Sequence, residues 1–99
     1  GAIMKYFMAQ SDIRDGEYEY QSFYILSSKT DLPDTATAQL TAWNYGLELN
    51  LDDTDFQWCG ERLVRESIRS EINPEHIDVL KNYLPMINWQ LVKQNGDES

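Results

Sequence analysis

This sequence of 99 residues is poor in cysteine, histidine and basic side chains, and it has no long apolar run. A single cysteine excludes an intrachain disulfide and suits a reducing compartment, so we expect a cytoplasmic protein. A single histidine excludes sites that need two imidazole groups. No segment approaches the roughly 20 consecutive apolar residues of a membrane span, and no basic stretch followed by an apolar run marks a secretory signal.

Basic charge is scarce along the whole chain. Eight Lys and Arg side chains stand against 17 Asp and Glu side chains, which gives a net charge of −9. Acidic residues outnumber basic ones in both halves of the sequence. Because phosphate backbones and anionic lipids repel such a surface, we expect no direct nucleic-acid binding and no membrane binding. Basic proteins remain suitable partners.

The composition predicts one packed domain. Apolar residues make up 41% of the chain and aromatic residues 12%, which is too much for a disordered acidic polypeptide. We interpret residues 1–3 as an expression remnant ahead of a natural start at Met4. Residues 4–93 are expected to form a single domain, and residues 94–99 a flexible tail.

The first half begins with a predicted β-hairpin. Residues 4–13 and 17–27 alternate in polarity around Asp15-Gly16, a dipeptide typical of a type I′ turn. A helix is predicted over residues 31–45, where Asp31 is the expected cap and Pro33 lies in the first turn. The alternation of leucines at 47, 49 and 51 predicts a short strand.

The second half begins with a predicted brief strand at residues 56–59. Residues 62–72 fit two structures, because Val64, Ile68 and Ile72 lie on one side of a strand but also recur every four residues, as on a helix. We favour the strand, since a short turn precedes it. Asn73-Pro74 starts a helix that Pro85 stops, and alternating residues 87–91 predict a final strand.

These elements predict a two-layer α+β fold. Their order is β-β-α-β-β-β-α-β, with a mostly antiparallel sheet and two helices packed on one face. The apolar stripes of both helices would then cover the tyrosine-rich face of the hairpin.

The histidine, cysteine and acidic residues do not form a recognisable catalytic or metal-binding motif. His76 is predicted to be a solvated surface residue, and Cys59 a structural thiol. Asp52, Asp53 and Asp55 could hold a hard cation, but they lack the order of an EF-hand loop, so a solvated acidic loop is favoured. Phosphate-binding glycine loops and Cys-x-x-Cys motifs are absent. We therefore predict no catalytic, cofactor-binding or metal-binding residues, and no enzyme activity.

Aromatic residues are unusually frequent and give the best indication of function, with six tyrosines and three tryptophans. Such side chains are favoured where a surface is partly apolar and partly wet. One predicted interface lies at the open end of the hairpin and consists of Tyr6, Met8, Phe23 and Ile25. The rings that could line a ligand pocket are Tyr20, Tyr24, Trp43 and Trp58.

Two parts of the chain resemble small bacterial proteins carried by phages and gene cassettes. They are the first hairpin, with Met4–Met8 and Asp12–Tyr20, and the strand with its proline-initiated helix over Arg62–Leu84. This resemblance suggests a mobile-element origin and implies no activity. The favoured function is a non-catalytic protein-interaction module that forms a homodimer. The alternatives are a small-ligand-binding domain or unrecognised enzyme, and an acidic mimic of nucleic acid that inhibits a DNA-binding protein.

Overall fold

A computed structural model describes residues 3–51 and 55–96, with side chains described as far as Val92 in the last helix. The strands are β1 (Lys5–Asp15), β2 (Tyr18–Ser28), β3 (Gln57–Cys59), β4 (Arg62–Glu71) and β5 (Met86–Asn88). The helices are α1 (Ala36–Tyr45), the single turn α2 (Ile77–Leu80), which a 3₁₀ turn at Pro74–His76 precedes, and α3 (Trp89–Gly96). The α+β class is confirmed.

One sheet contains the five strands in the order β3-β4-β1-β2-β5. All neighbours are antiparallel except β2 and β5, so the mostly antiparallel sheet is confirmed. The alternative helical structure for residues 62–72 is excluded, because β4 pairs with both β1 and β3. None of the described helices is long and apolar enough to cross a membrane.

The hairpin turn lies one residue later than predicted. Asp15 pairs with Tyr18, so Gly16 and Glu17 form the turn. A type I′ turn needs positive φ at both central residues, whereas only Gly16 has it, at 62°. The pairing moves by two residues, and side chains alternate with a period of two, so the predicted faces of the hairpin are unchanged.

The helices cover both faces of the sheet, which differs from the predicted packing on one face. Ala36 and Leu40 of α1 and Trp89 of α3 pack on the face that carries Ala9 and Leu26. On the opposite face, α2 packs against a second apolar cluster that consists of Tyr6, Met8, Ile25, Ile72, Ile77, Leu80 and Leu84. The open end of the hairpin is apolar on both sides, and burial of each side requires its own helix.

Four other predicted elements differ from the structure. The helix predicted between Asn73 and Pro85 is a 3₁₀ turn followed by α2, which ends at Leu80. Helix α1 begins at Ala36 after an N-cap at Thr35, not near Asp31. The leucine alternation at 47–51 forms no strand, because no described strand lies beside it to accept its hydrogen bonds. The final strand ends at Asn88, and a helix follows. The Asn88 side chain accepts a hydrogen bond from the backbone N–H of Gln90, at 3.0 Å. That helix continues to Gly96, into the range expected to form the tail.

Candidate functional site

The open edge of β2 is the first feature that could bind a partner. Strand β1 pairs with β2 from Tyr18 to Ser28, whereas β5 pairs on the other side only from Ile25 to Ser27. No described strand covers the outer side of Tyr18–Phe23, which we call the β2 edge. Backbone hydrogen-bonding groups along such an edge can pair with another chain.

The direction of the free backbone groups follows from one hydrogen bond. Ile25 N–H donates outward to the carbonyl of Pro85, at 2.8 Å. Because successive residues of an antiparallel strand direct their backbone groups to opposite sides, Phe23, Gln21 and Glu19 also point outward. The β2 edge therefore offers three N–H and three C=O groups that β1 does not use.

Aromatic side chains surround these groups. Tyr18 is 76% exposed, and Tyr20 and Phe23 are nearly half exposed. The segment contains no proline or lysine, two residues that commonly protect sheet edges. Its single charged residue is Glu19, whose carboxylate lies 3.2 Å from the guanidinium of Arg14.

A buried glutamate is the second feature, and it lies under α1. Glu66 of β4 is fully buried on the face of the sheet that α1 and α3 cover. Its Oε1 atom accepts hydrogen bonds from Ser11 Oγ at 2.9 Å, from Tyr24 Oη at 3.1 Å and from Asn44 Nδ2. Its Oε2 atom is also buried, and no described residue donates a hydrogen bond to it.

Burial determines the titration of this cluster. It raises the pKa of the Glu66 carboxyl above its ordinary value of 4.5, while the donors Ser11, Asn44 and Tyr24 act in the opposite direction. Burial also raises the pKa of the Tyr24 phenol, and the adjacent Glu66 raises it further. Tyr24 therefore remains a hydrogen-bond donor throughout the physiological pH range.

An open cleft of about 280 Å³ lies beside this carboxyl, and we call it the Glu66 cleft. Its polar lining includes Ser11, Tyr24, Asn44 and Glu66. Phe23 also borders the cleft, although its side chain lies with that of Ile25 on the opposite face of the sheet. The remaining lining residues are Ser22, Tyr45, Pro85 and Ile87. None of the nine lining residues is a lysine or arginine.

Two arginines and a phenylalanine form a third grouping, on the opposite face of the sheet. The guanidinium carbons of Arg14 and Arg65 each lie 4.2 Å from the centre of the Phe56 ring. Arg65 also pairs with Asp12 at 3.3 Å and with Asp55 at 3.5 Å. Both arginines already have acidic partners, so this grouping is better explained by packing of the loop before β3 than by ligand binding.

The predicted interface does not form one exposed patch. Ile25 is fully buried, and Tyr6 and Met8 are half-buried in the cluster that α2 covers. Of the four residues, only Phe23 is exposed, and it belongs to the β2 edge. Trp89, which was predicted to lie in the final strand, instead starts α3 and is fully buried.

The four predicted pocket rings do not converge. Tyr24 lines the Glu66 cleft, whereas the side chain of Tyr20 forms a hydrogen bond with Arg62. Trp43 packs against the main core, and Trp58 is 66% exposed.

The histidine, the cysteine and the acidic loop that could carry chemistry have the following positions. His76 is exposed, and Cys59 is half-buried, with its Sγ 3.9 Å from the carbonyl of Tyr45. Asp52 and Asp53 lie outside the described residues. Among the residues that are described, no group of three His, Cys, Asp or Glu side chains could hold a metal ion.

Glu66 and Asn44 are not among the site residues predicted from the sequence. A signal was present in the alternation Val64, Glu66, Ile68, where an acidic residue occupies the apolar side of a strand. Asn44 carried no such signal, because its role depends on how α1 lies across β4. No protein-family model, curated protein or solved structure matches this chain.

Proposed function

We propose that this protein is a non-catalytic interaction module that binds an extended protein segment along the β2 edge. The observation that carries the proposal is the row of outward backbone groups at Glu19, Gln21 and Phe23, which no described strand covers. Addition of a strand to a sheet edge is a common mode of protein recognition. The exposed rings of Tyr18 and Phe23 would contribute apolar contact beside the backbone pairing.

A second copy of the chain is the partner that we propose first. Two β2 edges can meet in an antiparallel arrangement about a two-fold axis, which is the commonest symmetry of soluble homo-oligomers. Each copy carries a charge of −9, and this repulsion opposes association. At physiological salt the repulsion is screened beyond about 8 Å, whereas hydrogen bonds and apolar contacts act at shorter range.

The test is a measurement of mass by light scattering over a range of protein concentrations in about 0.15 M salt, where the Debye length is near 8 Å. The expected mass rises from 11.6 kDa towards twice that value as concentration increases. Gln21→Pro should keep the protein monomeric, because proline removes an outward N–H that the fold does not use.

Gln21→Ser is the matched control, since it shortens the same side chain but keeps the N–H. It should associate like the wild type, and circular dichroism should show that both variants are folded. A wild-type mass that stays at 11.6 kDa at every concentration would overturn the dimer. Equal association of Gln21→Pro and wild type would place the contact elsewhere on the surface.

A further inference from the structure

We propose that the Glu66 cleft is a binding site for a small organic cation with a primary ammonium group and a compact apolar body. The proposal is independent of the β2 edge as a protein-binding surface, because it rests on the interior carboxyl and on the cleft beside it. Four observations carry it: the hydrogen bonding of the two carboxyl oxygens, the absence of a cation, the apolar part of the lining and the volume.

The two oxygens of Glu66 have unequal environments. Oε1 accepts hydrogen bonds from Ser11, Tyr24 and Asn44, whereas Oε2 accepts none from the described residues. Three donors on one oxygen hold the carboxyl group in one orientation and oppose the effect of burial on its pKa. A buried acceptor without a partner is costly, so a ligand that enters from the cleft and displaces the side chains covering Oε2 would gain by donating a hydrogen bond to it.

The negative charge of the cleft favours a positively charged hydrogen-bond donor on the ligand. A buried carboxylate is ordinarily paired with a cation, but the lining residues of this cleft include no lysine or arginine. All three groups that hold Oε1 are neutral donors. A ligand with an ammonium group would supply both the missing hydrogen bond and the missing positive charge.

The apolar part of the lining limits the rest of the ligand. Pro85 and Ile87 provide apolar surface in the cleft. A volume of about 280 Å³ is at the lower end for small-molecule sites, which favours a compact ligand. An aryl or short alkyl group attached to an ammonium group fits this combination of polar and apolar lining residues.

Benzylamine is the probe that tests the proposal, and benzyl alcohol is its uncharged counterpart of similar shape. Titration followed by amide chemical shifts should show saturable binding of benzylamine, with the shifts concentrated around Ser11, Asn44 and Glu66. Benzyl alcohol should bind at least about tenfold more weakly, since it lacks the charge that strengthens a hydrogen bond to a carboxylate.

Glu66→Gln should weaken benzylamine binding by at least about tenfold, because it removes the charge but keeps the shape of the side chain. Glu75→Gln is the matched control, since it makes the same change of net charge at an exposed position outside the cleft, and it should leave binding unchanged. Ser22→Phe is the second variant, and it fills the exposed rim without altering the buried carboxyl. It should also abolish binding, so the proposal remains testable if Glu66→Gln does not fold.

The titrations are repeated in the Gln21→Pro variant, because Ser22 and Phe23 belong to both the cleft and the β2 edge. Binding of benzylamine to that variant supports the cleft whether or not the chain dimerises. Equal binding of benzylamine and benzyl alcohol, or equal binding to wild type and Ser22→Phe, would overturn the proposal. So would an absence of saturable binding to a folded wild-type protein.

Discussion

Asn44 donates a hydrogen bond from Nδ2 to Oε1 of Glu66, and this bond connects the last turn of α1 to the centre of the sheet. The same amide lies 3.3 Å from the hydroxyl of Tyr24, which itself donates to Glu66. The helix, β2 and β4 thus meet at one carboxyl group. Because the group is buried, the loss of any donor leaves an incompletely solvated charge in the interior.

Asn44→Ala should therefore lower the free energy of unfolding by about 1.5–3 kcal/mol, the range for a hydrogen bond to a charged group. Asn44→Asp should lower it further at neutral pH, because it places a second carboxylate beside Glu66. Urea denaturation measures both changes. Asn82→Ala is the control, since it removes an exposed amide that donates to a backbone carbonyl, and it should cost less than about 0.5 kcal/mol. Equal effects of Asn44→Ala and Asn82→Ala would contradict the role of this bond.

The dependence of stability on pH provides a second prediction. The pKa of Glu66 is raised in the folded state, mainly by burial, so the folded protein holds this proton more tightly than the unfolded chain. The destabilising effect of Glu66 is absent below its unfolded pKa, near 4.5, and grows as pH rises through the folded pKa. The groups that face it, Tyr24 and Tyr45, have pKa values raised by burial, and so they remain neutral over this range.

We therefore expect wild type to lose stability relative to Glu66→Gln as pH increases from about 4 to 7, the window that begins near the unfolded carboxyl pKa. Urea denaturation of both proteins at each pH gives the difference, in which carboxyl groups that do not interact with Glu66 cancel. A difference that is constant with pH would mean that Glu66 titrates alike in the folded and unfolded chains.

The two hairpin strands and their faces could be predicted because a period of two is a local property of the sequence. The positions of the helices could not. Ile77 and Leu80 form an apolar stripe that either face of the sheet could bury, and the sequence does not state which face α2 reaches. The strand predicted from the alternating leucines at 47–51 is wrong for a related reason, because a strand also needs a neighbouring strand to pair with.

The candidate sites show the same division. Tyr18 and Phe23 could be recognised as surplus aromatic residues, whereas the open edge beside them depends on how far β5 extends along β2. Glu66 was noticeable as an acid on an apolar strand face, but its partners come from β1, β2 and α1. Long-range contacts of this kind depend on tertiary packing, which local patterns do not specify.

The three tryptophans should differ widely in their contribution to stability. Trp89 is fully buried in the main core, so Trp89→Ala should cost about 3–5 kcal/mol. Trp58 is largely exposed, and Trp58→Ala should change the free energy of unfolding by no more than about 0.5 kcal/mol. Trp43 is half-buried against the same core as Trp89 and should fall between them. Urea denaturation monitored by circular dichroism gives the order, and a larger loss for Trp43 than for Trp89 would contradict the described packing.

Salt should strengthen the proposed dimer, in contrast to the weakening expected for partners of opposite charge. Two copies of charge −9 repel each other, and Glu19 lies within the β2 edge itself. The Debye length falls from about 30 Å at 0.01 M salt to about 8 Å at 0.15 M, so repulsion between the bodies decreases while backbone pairing persists. Sedimentation equilibrium should show a lower dissociation constant at the higher salt concentration.

Glu19→Gln should reduce this salt dependence and favour the dimer at low salt, because it removes one acidic side chain from each contacting edge. Glu61→Gln is the matched control. It makes the same change of charge in the turn that joins β3 and β4, at the opposite edge of the sheet, and its effect should be smaller. If Glu61→Gln changed the salt dependence as much as Glu19→Gln, only the total charge would matter and the contact would not involve the β2 edge. A dimer that dissociated as salt increased would show that attraction between opposite charges holds the copies together instead.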